Sequence, residues 1–70
     1  MITFERAMKF AHDMRLDAGK IQRTHDERIA DGYELVKVMT YVDIARCSDH
    51  LVLSYRTAAG GKTIEDFSNL

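Results

Sequence analysis

The sequence predicts an α+β domain: one long N-terminal amphipathic helix packed on a three-stranded antiparallel sheet, in the order α-β-β-β. Three observations predict it. Apolar residues recur at helical spacing from residue 4 to residue 29. From Tyr33 onward the apolar period changes to two, the period of a strand. Two polar breaks, at 46–50 and 59–62, then divide the rest into three segments.

The helical stripe is Phe4, Ala7, Met8, Phe10, Ala11, Met14, Ala18, Ile21, His25 and Ile29. At a helical repeat these fall within an arc of roughly 160°. Leu16 is the apolar residue that falls well off it. Thr3 suits the N-cap, and Asp31-Gly32 suits the stop, with Gly32 as the left-handed residue after the last turn. Gly19 costs about 1 kcal/mol relative to alanine inside a helix. A break would therefore fall near Ala18-Gly19, but the stripe keeps phase across the glycine, so a continuous helix is expected. Part of the stripe also fits a heptad. Alanine fills its first half, which suits packing on the chain's own sheet better than a coiled coil.

Tyr33 to Ile44 alternates and is rich in β-branched residues, as a first strand requires. Leu51 to Arg56 makes a second and Lys62 to Phe67 a third. A two-residue Gly60-Gly61 turn would pair Arg56 with Glu65 and Thr57 with Ile64. An even-length loop after Arg46 would pair Ile44 with Leu53 and Val42 with Tyr55. These registers place Val36, Val38, Val42, Ile44, Leu51, Leu53, Tyr55 and Ile64 on one continuous apolar face, expected under the helix. The helix and first strand would each run roughly 40 Å. That is long for a domain of this size, whose diameter should be nearer about 30 Å.

Seventy residues make one small domain, 1–70, whose lone core is marginal and favours a second subunit. A single cysteine, Cys47, excludes an internal disulfide and fits a reducing compartment. Apolar residues make up 46% and charged residues 30%, as in an ordinary soluble protein. The formal net charge of −1 gives neither the basic footprint of a nucleic-acid binder nor an acidic mimic of DNA. Neither a secretory signal nor a membrane span is expected, since Lys37 and Asp43 interrupt the most apolar stretch. The expected location is cytoplasmic.

Chemistry-bearing patterns are sparse. His12 and His25 stand close to 20 Å apart along a helix, at about 1.5 Å per residue, and cannot share a metal within one chain. His25 lies in the apolar stripe and reads as a packed, hydrogen-bonded histidine. Cys47-Ser48-Asp49-His50 contains half of a tetrahedral zinc site, with no second pair in the chain. A polar hairpin turn explains the same residues without metal. A Cys-His nucleophile on an exposed turn would lack a pocket, and Gly60-Gly61 lacks the context of a phosphate loop. No enzyme activity, cofactor or metal is therefore expected.

The second sheet face carries the functional expectation. Leu35, Met39, Tyr41, Val52, Arg56 and Phe67 are the expected partner-binding residues, set among Lys37, Asp43, Ser54 and Glu65. Aromatic residues, methionine and arginine are enriched at interfaces. The first or third strand is also an open edge that can pair with another chain. The expected function is a small interaction module: a homodimer that binds and modulates or inhibits a larger protein. The alternative is a single-stranded nucleic-acid binder stacking bases on Tyr33 and Tyr41 beside Lys37 and Arg56. Asp43 and Glu65 on that face argue against it.

Overall fold

The computed structural model describes residues 3–70. It contains α1 (Phe4–Asp13), α2 (Ala18–Ala30), β1 (Glu34–Asp43), β2 (Ser48–Arg56) and β3 (Lys62–Ser68). The strands form one antiparallel sheet in the order β1-β2-β3.

The expected single helix is two helices, and the break lies before Gly19. Thr3 caps α1 as expected, its hydroxyl accepting from the Arg6 amide at 3.2 Å. The helix stops because Arg15 turns left-handed, at φ 58°. Arg15 N–H then donates to His12 O, and Leu16 N–H donates to Ala11 O at 2.9 Å. This is a Schellman ending, normally built on glycine, and it brings Leu16 against Ala11. Both are buried in the core. Asp17 starts the next helix by accepting from the Lys20 amide at 3.0 Å. Gly19 therefore sits in the first turn of α2, where it interrupts nothing. α2 ends the same way on Gly32, at φ 89°, the expected residue.

The core gathers Ala7, Ala11, Leu16, Ile21, Leu51, Leu53, Tyr55 and Phe67. Both helices thus cover one face of the sheet, with central β2 supplying three of these residues.

Two registers differ from expectation, with opposite consequences. The first hairpin closes through Ile44–Cys47, where Asp43 Oδ1 accepts from the Arg46 amide and Cys47 takes φ 51°. Val38 then faces Leu53, and Asp43 faces Ser48. Relative to the expected pairing this is an even shift, so Val38 keeps its helix-facing side. Val42 keeps it too, but is 60% exposed beside a cleft that it lines with Phe10 and Met14; Ile44, in the turn, is 86% exposed. A β-bulge at Val36 inverts the alternation before it, turning Leu35 towards the core.

The second hairpin closes through the five residues 57–61, not through Gly60-Gly61 alone. Thr57 N–H donates to Gly61 O at 2.8 Å, and Thr57 Oγ1 accepts from Gly61 N–H at 2.9 Å. Only Gly60 of the pair takes a positive φ, 93°, whereas a type I′ turn needs two such residues. Glu65 therefore faces Leu53 rather than Arg56. This odd shift exchanges the faces of β3. Phe67 enters the core and Ile64 leaves it, 68% exposed. Burying the larger aromatic side chain stabilises this arrangement.

Candidate interaction face

The face turned away from the helices presents Lys37, Met39, Tyr41 and Asp43 from β1. Beside them stand His50, Val52, Ser54 and Arg56 from β2, and Lys62, Ile64 and Asp66 from β3. Of the six expected partner-binding residues, Met39, Tyr41, Val52 and Arg56 share this face. Leu35 and Phe67 do not: the bulge and the odd β3 register carry both to the helix side. Glu65 also moves there, where Oε2 accepts from Arg28 Nε at 3.2 Å. Ile64 takes the vacated outer position.

The face has an apolar centre and two unlike ends. Met39, Tyr41 and Ile64 are exposed, whereas Val52 between the outer strands is buried. One end carries Arg56 and Lys62, with Glu34 paired to Arg56 at 3.2 Å. The other carries Asp43, while Lys37 lies in register with Ile64 and Asp66 lies in register with Met39 and Val52, in the middle of the face.

Around Asp66 a polar network crosses all three strands. His50 Nδ1 lies 2.9 Å from Asp66 Oδ1, and the Tyr41 hydroxyl donates to Asp66 Oδ2 at 3.1 Å. The Tyr41 and His50 rings stack at 4.4 Å, 7° from parallel. His50 Nε2 lies 3.0 Å from Ser48 Oγ. In the neutral imidazole, Nδ1–H donates to the carboxylate and Nε2 accepts from the serine hydroxyl. Burial first, then the Asp66 carboxylate, pushes the Tyr41 phenol above its ordinary range, so it remains a donor.

Ser48, His50 and Asp66 thus have the connectivity of a hydrolytic triad. Ser48 is 0% exposed, so Oγ has no room beside it for a substrate carbonyl. The arrangement instead ties β1, β2 and β3 together across the outer face.

The remaining candidates are placed elsewhere. Cys47 is exposed in the turn, and its thiol donates to Ile44 O at 3.7 Å. His50 has both ring nitrogens engaged by Ser48 and Asp66, which leaves no free nitrogen to complete a Cys47-His50 half-site. Among the described residues, no group of three His, Cys, Asp or Glu side chains is placed to hold a metal ion. His25 is packed and hydrogen-bonded as its position in the stripe implies: its ring stacks on Phe4 at 3.7 Å, and Nδ1 lies 2.8 Å from the Tyr55 hydroxyl. Tyr33 packs against the core and not beside Tyr41, which divides the aromatic pair a base-stacking surface would use. Among the described residues no helix is long and apolar enough to cross a membrane.

Sequence reasoning missed Ser48, His50 and Asp66 as a unit. Ser48 and His50 carried a local signal, being two apart and so on one face of a strand. Asp66 carried none, because its place depends on the β3 register. No protein-family model, curated protein or solved structure matches the chain.

Proposed function

We propose that this chain is a small, non-enzymatic interaction module of the cytoplasm, a homodimer that binds a larger protein through the outer sheet face and modulates or inhibits it. One observation carries the reading: the outer face exposes Met39, Tyr41 and Ile64 around buried Val52, with Arg56 and Lys62 at one end and Asp43 at the other. A merely solvated face would alternate more cleanly. An apolar, aromatic centre inside a polar rim is the anatomy of a binding surface, and Arg56 supplies a rim cation of the type interfaces favour. The enclosure of Ser48 supports a non-enzymatic role. The exposed Cys47 thiol suits a reducing compartment.

The test is retention of a partner from an extract of the source cells. Met39→Asp and Ile64→Asp should each lower recovery of the captured protein by more than about tenfold, as loss of a central contact does. Far-UV circular dichroism should stay unchanged. Lys9→Asp, on an exposed position of α1, should leave recovery intact. Equal recovery with all three variants sinks the reading. A titration with a mixed-sequence single-stranded oligonucleotide at low salt should be blank. Salt-sensitive binding there would move the function to nucleic acid.

A further inference from the structure

We propose that two copies of this chain pair through β1, antiparallel about a two-fold axis at Thr40, and so form one six-stranded sheet. The inference rests on the self-association proposed above and names the surface that carries it.

β1 is an edge of the sheet and its longest strand, and Met39, Tyr41 and Val42 on it are exposed. An unpaired edge of this kind is a template for a further strand. Two-fold pairing sets each residue opposite its mirror position, and every contact occurs twice. With the axis at Thr40, Lys37 lies opposite the partner's Asp43, and Met39 lies opposite the partner's Tyr41. On the helix side, Val38 lies opposite the partner's Val42. Charge meets opposite charge, and apolar meets apolar, on the same face in each case.

Neighbouring registers lose this match. An axis at Met39 sets Lys37 against Tyr41, and an axis at Tyr41 sets Met39 against Asp43. The charges are also open to the pairing. Lys37 makes no ion pair among the described residues, and the one ion pair of Asp43, beside its hydrogen bond from the Arg46 amide, is a 3.9 Å contact with the largely exposed Arg46 side chain. The bulge at Val36 lies outside the central segment 38–42 and does not interrupt it.

The other edge, β3, is the weaker template. Pairing about Ile64 would set Lys62 against Asp66, but Asp66 already accepts from His50 and Tyr41. β3 is also shorter, and the charge of Glu65 is taken by Arg28.

Disulfide trapping tests the register on the full chain carrying Cys47→Ser. Residues facing each other across antiparallel strands bring their Cα atoms to about 4.5–5.5 Å, within reach of a disulfide. Thr40→Cys should therefore give a covalent dimer on mild oxidation. Val38→Cys alone should not, since about four residues separate the two thiols along the strands, roughly 13 Å. Val38→Cys mixed with Val42→Cys should cross-link again. Lys37→Asp should weaken the dimer in sedimentation equilibrium by about tenfold, because it sets like charges opposite each other twice. Lys37→Asp with Asp43→Lys should restore it.

A monomer in sedimentation overturns both this proposal and the homodimer reading. A dimer that cross-links through Ile64→Cys but not Thr40→Cys overturns the β1 pairing alone. So does a dimer that Lys37→Asp leaves intact.

Discussion

His25 shows how a titratable group is held within an apolar stripe. Its ring lies flat on Phe4, and Nδ1 meets the Tyr55 hydroxyl. Burial pushes the Tyr55 phenol up to about 12, so it keeps its proton and donates to the neutral imidazole. Burial also lowers the His25 pKa from its ordinary 6.5, an effect that neighbouring Asp26 opposes but does not cancel. The folded chain therefore binds a proton at this site less readily than the unfolded chain. Stability from this group is complete above the ordinary pKa. It is lost as pH falls through 6.5 towards the depressed folded value. The urea midpoint should drop between about pH 7.5 and about pH 5, and His25→Gln should make that drop smaller. An equal drop in the variant would assign the pH dependence to other groups. The stripe made a packed His25 legible, but Tyr55 stands thirty residues away and no local pattern could supply it.

At the scale of elements, the two helix endings make a controlled comparison. Both are Schellman turns with the same pair of closing hydrogen bonds, but one uses Gly32 and the other Arg15. A side chain in the left-handed region costs about 1–2 kcal/mol that glycine avoids. Glycine returns part of this through its freer unfolded chain, so Arg15→Gly should stabilise by about 0.5–1 kcal/mol. A rise in the urea midpoint at unchanged slope would show it; a fall would mean that the arginine side chain holds the turn. The same comparison explains what could be read in advance. Gly32 announced its turn, whereas Arg15 concealed the first one, and Leu16 off the stripe was its only trace. In the sheet, legibility followed parity. The β1–β2 offset differs from the expected one by an even number and leaves Leu51, Leu53 and Tyr55 on the expected side. The β3 offset differs by an odd number and exchanges Phe67 with Ile64. The strands and their order were legible because alternation is local. The places of Leu35, Phe67 and Ile64 were not, because loop geometry and one bulge decided them.

At the scale of the whole molecule, the chain is elongated, 37 Å in its longest dimension against 22 and 21 Å. Its radius of gyration is 12.1 Å. A compact chain of this length would have about 11 Å. On the edge strand β1, Val42 remains 60% exposed. A second copy paired about Thr40 would cover that residue with Val38 and join the two outer faces into one platform with charged ends alternating across it. Such a partner binds the folded chain and not the unfolded one, so it raises stability by mass action. A hundredfold rise in protein concentration contributes about 2.7 kcal/mol per dimer in that case. Spread over the unfolding entropy of two chains, this should raise Tm by roughly 5–10 °C. Lys37→Asp should flatten the dependence while matching the wild type at the lowest concentration, because its target is the contact between chains and not the fold. Differential scanning calorimetry across that range separates the cases. A concentration-independent Tm in the wild type would mean that this thin core stands alone and that Val42 simply remains in water. A slope that Lys37→Asp leaves unchanged would mean that the chains meet elsewhere than at β1.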